Sequence, residues 1–196
     1  GLQNWDVSNV NNFSSMFDDC SSLLDVKALQ KWNVSNGNNF SFIFRGCSSL
    51  SEIKELKNWI VSKGNNLNSM FDGCSSLLDI RGLENWNVSN GNDFSSMFRG
   101  CSSLSGIKAL KKWDVSKGNN FSSMFRGCSS LLDIDGLQKW DMTKGNDFNY
   151  MFGGCLSLSD ISGLHKKLSN ENHFNSMFYE CFSIIDLKYY KTEKKK

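Results

Sequence analysis

Apolar positions recur along the chain in a fixed order. In NFSSMFRGC, Phe121, Met124, Phe125 and Cys128 stand at i, i+3, i+4 and i+7, the spacing of one helix face, which predicts roughly two helical turns. Asn lies two residues before this Phe or its Leu67 counterpart in every copy, at Asn11, Asn38, Asn65, Asn92, Asn119, Asn146 and Asn172, where it can cap the first free N–H groups. Gly46, Gly73, Gly100, Gly127 and Gly154 close the segment, as a glycine at a helix C-terminus does. The next stretch, SSLLDIDGL, sets Ile134 between Asp133 and Asp135, and this alternation predicts a short strand with Ile inward and both carboxylates outward. Val26, Ile53, Ile80, Ile107, Ile161 and Leu187 fill the same slot. WDVS alternates again, with Trp113 and Val115 on one side and Asp114 and Ser116 on the other, as a second short strand or an extended corner. Gly37, Gly64, Gly91, Gly118 and Gly145 follow and are expected to take a positive φ at the turn into the helix.

These elements repeat throughout. Cys20, Cys47, Cys74, Cys101, Cys128, Cys155 and Cys181 are spaced by five steps of 27 residues and one of 26, and Trp5 to Trp140 keep the 27-residue step. Such a period marks a repeat array that stacks into one continuous domain, here residues 1–190. The last copy, about 164–190, is degenerate: Lys167 stands where Trp is expected, Glu171 where Gly is, and Phe182 replaces a Ser. Terminal repeats are atypical because they close the core against water. Residues 191–196 form a basic tail. A weaker 54-residue rhythm sets Leu24, Leu78 and Leu132 against Ser51, Ser105 and Ser159, and Asn36 and Asn90 against Lys63 and Lys117. The chain opens inside a repeat, at GLQNW, which is expected of an array cut from something longer.

Composition narrows the function classes. Of 196 residues, 39% are apolar, enough for a continuous core in which each coil contributes the same set. Net charge is +2, and Lys191 to Lys196 alone supply +3, so the folded body lacks the basicity of a nucleic-acid binder. No apolar run approaches the ~20 residues that span a bilayer. Seven Cys, none in a CxxC pair, fit neither a disulfide framework nor a zinc site. No phosphate loop, nucleophile elbow or acid–base pair is present, and no cofactor is implied.

Each slot of the repeat becomes a column, and each column has a structural and a chemical reading. The Cys column ends an apolar face and reads as small buried hydrophobes, against a redox or metal role. The Trp column shares its side with Val or Met and reads as core, against a stack for sugars or bases. His165 and His173 read as surface substitutions. The outward slots are more informative: one column reads Asp25, Glu52, Asp79, Gly106, Asp133, Asp160 and Asp186, the other Lys27, Lys54, Arg81, Lys108, Asp135, Ser162 and Lys188. An acidic stripe beside a basic stripe is a solvated, ion-paired face. At Asp135 and Ser162 the basic stripe stops. Asp133, Asp135 and Asp160 then project from one patch, which could take a basic partner group or a Ca²⁺, although no Asp-x-Asp-x-Asp-Gly loop is present.

MFxGCSSLxxI followed by LxxWxVS resembles the BspA-like leucine-rich-repeat surface proteins, whose repeat was first noted in mycoplasma lipoproteins and reads roughly WDVSNVTNMSSMF. The resemblance covers all seven copies. It implies a leucine-rich-repeat-like solenoid of seven ~27-residue coils, each with a short β-strand in a parallel sheet and a short helix or 3₁₀ segment. It also implies an adhesin-like, cell-surface or secreted protein with no catalytic residues, binding a protein ligand such as a host matrix or surface protein.

The expected function is therefore non-catalytic protein binding along the strand face. The candidate contacts are Asp133, Asp135, Asp160 and Ser162 with Lys27, Lys54, Arg81 and Lys108, and Glu55 and Tyr189 are further outward residues that vary between copies. An intracellular interaction scaffold is the alternative. An enzyme is a third, which substitution of Asp133, Asp135 or His173 would test.

Overall fold

The protein is seen here as a computed structural model that describes residues 1–162, 164 and 174–184. The readings made for His165, Lys167, Glu171, Asn172, His173, Asp186, Leu187, Lys188, Tyr189 and the 191–196 tail fall outside those residues.

Successive coils stack through the backbone of NFSSMFRGC. The N–H groups of Phe121, Ser123, Phe125 and Gly127 donate to Asp147, Asn149, Met151 and Gly153 in the next coil, each at 2.8 Å. The alternate N–H groups of Met124, Arg126 and Cys128 turn back to carbonyls three residues earlier, at 3.0–3.2 Å. An α-helix would send all of them four residues back. The expected helix is thus a run of turns, made possible by left-handed residues at Ser123 (φ 56) and Gly127 (φ 75). Half of the donors are thereby freed to join the coils. Parallel bridges link Asn12, Asn39, Asn66, Asp93, Asn120 and Asp147 in sequence at the start of this run. Burial follows the expectation even though the helix does not, with Phe121, Met124, Phe125 and Cys128 all fully buried. Among the described residues the one α-helical turn is Phe174–Met177, in the last coil.

The expected strand is displaced as well. Val26, Ile53, Ile80 and Ile107 point inward, but each leads into a 3₁₀ turn, at Lys27–Leu29, Lys54–Asn58, Arg81–Leu83 and Lys108–Lys112. In two of these coils the acidic residue before the apolar slot adds an Asx turn. Oδ1 of Asp25 and of Asp79 accepts the N–H of Lys27 and Arg81, two residues on, at 3.0 Å, and this Asx turn bends the chain. The parallel bridge at this slot joins Asp133 to Asp160. At this slot the parallel pairing expected of every coil is thus found between Asp133 and Asp160, while four earlier coils turn through 3₁₀ segments instead.

Two further assignments shift by a residue or change their cause. The cap on the turn run comes from the residue next to Phe: Oδ1 of Asn12, Asn39, Asn66, Asp93, Asn120 and Asp147 accepts the N–H two residues ahead at 2.9–3.0 Å. The preceding Asn column instead ties coils together, as when Asn38 Nδ2 donates to the Lys63 carbonyl at 3.1 Å. The Gly118 column does not take a positive φ. A β-carbon at Gly118 would sit 2.3 Å from Phe121 Cζ, so the glycine is there for the ring packed against it.

The interior is a set of aligned columns. Phe44, Phe71, Phe98 and Phe125 stack at centroid spacings of 5.5–5.6 Å, and Trp59–Trp86 and Trp113–Trp140 at 6.3 Å. Every indole N–H from Trp32 to Trp140 donates to the Leu carbonyl thirty residues earlier, at 2.8–3.1 Å, so these polar atoms are buried with a partner. The thiols of Cys47, Cys74, Cys101, Cys128 and Cys155 likewise reach a Phe carbonyl in the coil before, at 3.1–3.2 Å. In the first coil, Trp5 is 57% exposed and Cys20 is also exposed. The 54-residue rhythm has a physical expression: Lys63 Nζ and Lys117 Nζ donate to Oδ1 of Asn36 and Asn90 in the preceding coil, both at 2.7 Å.

Candidate functional site

The outward charges sit at the entry to the 3₁₀ turns rather than on a strand. Lys27 pairs with Asp25 at 3.1 Å, Lys54 with Glu52 at 2.7 Å and Arg81 with Asp79 at 2.7 Å. The pairs form inside one coil, two residues apart, where the sequence suggested stripes cancelling between coils. The 3₁₀ turn folds each cation back over its own carboxylate. The Arg81 side chain holds the Asp79 carboxyl below its ordinary range, and the Lys27 N–H does the same for Asp25. Exposed pairs of this kind add little stability. They leave this part of the surface electrically quiet.

The pattern changes at Lys108. Its acidic slot is Gly106, and Lys108 is exposed with no ion-pair partner among the described residues. In the next coil Asp135 is exposed, accepts a hydrogen bond from Gln138 Nε2 at 2.8 Å and has no cation within ion-pair distance among the described residues. The N–H of Asp135 donates to Asp133 Oδ1 at 3.0 Å, and that of Ser162 to Asp160 Oδ1 at 2.8 Å. The Ser162 contact holds the Asp160 carboxyl below its ordinary range. Because Asp133 and Asp160 are bridged neighbours, Asp133, Asp135, Asp160 and Ser162 occupy adjoining coils on one side. Lys27, Lys54, Arg81 and Lys108 continue the same column through the earlier coils. Among the described residues no group of three or more His, Cys, Asp or Glu is disposed to hold a metal ion.

Glu55 departs from its expected outward position. It is buried, with Oε2 lacking a hydrogen-bond partner. The 3₁₀ turn tucks the residue after each cation toward the neighbouring coil, in the slot that Ala28, Gly82, Ala109 and Gly136 fill elsewhere.

A second outward cluster escaped the sequence reading. Tyr150, Leu156, Tyr179 and Phe182 are exposed in the last coils, and the Arg126 guanidinium lies over the Tyr150 ring at 5.1 Å. In earlier coils Ser fills most of the corresponding slots of Tyr150, Leu156 and Phe182. Of these breaks the sequence reading marked Phe182, as degeneracy of the last copy, and not Tyr150 or Leu156, whose signal is the change of residue within an otherwise Ser-rich column.

Among the described residues no helix is long and apolar enough to cross a membrane. The family described as Mycoplasma protein of unknown function, DUF285, matches residues 1–106 and residues 76–190. No curated protein matches the sequence. Among solved structures, the crystal structure of a T. pallidum leucine-rich repeat protein (TpLRR) is similar over 81% of this chain and 76% of that one, with 19% sequence identity and a TM-score of 0.42.

Proposed function

The chain belongs to the Mycoplasma family DUF285, whose function is unknown, and from this starting point we propose that it is a non-catalytic protein-binding module of the leucine-rich-repeat type. Its place is the cell surface or the secreted space, where it adheres to a host matrix or surface protein. The observation that carries this reading is the division of labour between columns. Recurring Phe, Trp, Met and Cys are committed to the core, and recurring Asn and Ser to backbone bonds. Lys108 and Asp135, in adjacent coils, carry exposed charges without an ion partner among the described residues. A step from positive to negative along a rigid stack selects a partner by complementary charge, which governs specificity and encounter rate more than raw affinity.

Immobilised host extracellular-matrix proteins provide the test. The protein is expected to bind at least one saturably. Replacing Asp135 and Ser162 together with Lys extends the basic column by two coils, and should change that affinity by about tenfold while leaving the melting temperature unaltered. Failure to bind any of the matrix proteins, or equal binding by the doubly substituted protein, contradicts the reading.

A further inference from the structure

We infer that the last coils carry a second docking surface, separate from the 3₁₀ side, for an acidic peptide segment bearing an apolar or aromatic side chain. Its centre is the Arg126–Tyr150–Tyr179 cluster. The column containing Arg126 reads Asp18, Arg45, Asp72, Arg99, Arg126, Gly153 and Tyr179. Where the signs alternate the charges neutralise one another: Arg45 binds Asp18 through both Nε and Nη2, and Arg99 lies 4.0 Å from Asp72. Arg126 interrupts the alternation. It follows another Arg, precedes Gly153, and has no carboxylate partner among the described residues.

The guanidinium is nevertheless held in place. It stacks on Tyr150, so its N–H edge is oriented and open, the arrangement that receives a carboxylate through two hydrogen bonds. Arg45 over Phe42, at 5.0 Å, is the same stacking unit with its carboxylate already supplied by Asp18. The Arg126 unit lacks only that acid. Tyr150 holds a left-handed backbone conformation (φ 56), which is unfavourable for a bulky side chain and which Ser15, Ser69, Ser96 and Ser123 hold in four other coils.

The coils of Tyr150 and Tyr179 expose further apolar side chains. Tyr179 meets Tyr150 edge-on, at 5.8 Å and 82°. Leu156 and Phe182 occupy one column of adjoining coils, joined by the Ser183 hydroxyl, which donates to the Leu156 carbonyl at 2.6 Å. Phe182 is 80% exposed. Aromatic side chains beside an oriented Arg are the composition of protein-binding hot spots. A flat sugar platform is disfavoured, because the guanidinium covers one face of Tyr150 and the two tyrosines are nearly perpendicular.

The test is selection from a phage-displayed random peptide library on the parent protein, after depletion on the Arg126→Ser and Tyr150→Ser variants. Ser is native at the corresponding slot of Tyr150 in five coils, and thermal melts check that both variants fold. Enriched peptides are expected to place Asp or Glu beside an aromatic or Leu residue. A synthetic copy should bind the parent at least about tenfold more tightly than either variant, and more weakly as salt is raised. The protein with Asp135 and Ser162 changed to Lys should bind it as the parent does, which separates this surface from the matrix-binding side. Enrichment of peptides without acidic residues, or equal binding by parent and variants, overturns the inference. So does binding of neutral oligosaccharides that Tyr150→Ser abolishes while no peptide binds.

Discussion

Replacing Phe98 with Ala is expected to destabilise the protein by about 3–5 kcal/mol, the range for removing a large buried aromatic side chain. Phe98 is fully buried and lies between Phe71 and Phe125, with both centroids 5.6 Å away. Its removal leaves a cavity and breaks two stacked contacts worth roughly 0.5–1.5 kcal/mol each beyond area burial. In a stack where each coil touches only its neighbours, a gap in the middle weakens two interfaces together. Trp5→Ala, at the exposed end of the Trp column and with one stacked neighbour 6.2 Å away, should cost about 1 kcal/mol or less. Urea denaturation of the two variants measures the difference. Equal losses would contradict a continuous stack.

The second large effect is alkaline. Cys47, Cys74, Cys101, Cys128, Cys155 and Cys181 are free and buried. Desolvation pushes the thiols of Cys47 and Cys128 up to about 12 and that of Cys181 up to about 11, and raises Cys74, Cys101 and Cys155 as well. In the unfolded chain a thiol titrates near its ordinary value of about 8.5. The folded values lie above the unfolded one, so this contribution is fully present below that pH. It is lost as pH rises toward the folded values, because the unfolded chain releases its protons first. Each thiol contributes a slope of up to about 1.4 kcal/mol per pH unit. Six together are sufficient to remove a typical stability of about 5–15 kcal/mol within one to two pH units above 9. Denaturation midpoints between pH 7.5 and 10.5 should fall steeply, and Cys128→Ala should make the fall shallower. A flat profile would mean that the thiols are not buried in the native state.

How far the sequence revealed this fold depends on what burial periodicity can and cannot report. Phe121, Met124, Phe125 and Cys128 announced their inward direction, and all four are core. They did not announce a helix, because a run of turns with left-handed residues at Ser123 and Gly127 buries the same set. The difference lies in where the N–H of Phe125 goes, to Met151 in the next coil, and periodicity within one coil carries no record of a partner 26 residues away. The assignment of the Asn119 column as the cap failed for a related reason. Two adjacent Asn residues are indistinguishable by type, and only the backbone path decides that Asn39 Oδ1 accepts the Ser41 N–H while Asn38 Nδ2 reaches the Lys63 carbonyl in the next coil. Gly118 was legible as obligatory but not in its cause, since a positive φ and a ring packed against the α-carbon demand the same residue.

The candidate site divides in the same way. The end of the basic column at Asp135 and Ser162 could be read directly, as could the outward direction of Lys27, Lys54, Arg81 and Lys108. That Lys27 folds back onto Asp25 in its own coil depends on a 3₁₀ turn that alternation had represented as a strand. Glu55, read as outward, is buried, on the side that alternation from the inward Ile53 would itself have given it. Tyr150 and Phe182 were visible as departures from Ser, and Phe182 was read as decay of a terminal repeat. Its exposure in the same coil as the exposed Tyr179 gives that departure a physical meaning.

The central claim is that the recurring residues are structural and that binding is left to the outward columns. Thiol counting in the native protein tests it most directly, because the Cys column samples every coil. Of seven thiols, Cys20 is exposed and the other six are buried. Titration with a chromogenic disulfide near neutral pH should therefore release one rapid equivalent, with six more appearing on addition of denaturant. Cys20→Ser should abolish the rapid phase. Rapid reaction of several thiols in the folded protein would contradict the stacked core and, with it, the assignment of function to the surface columns.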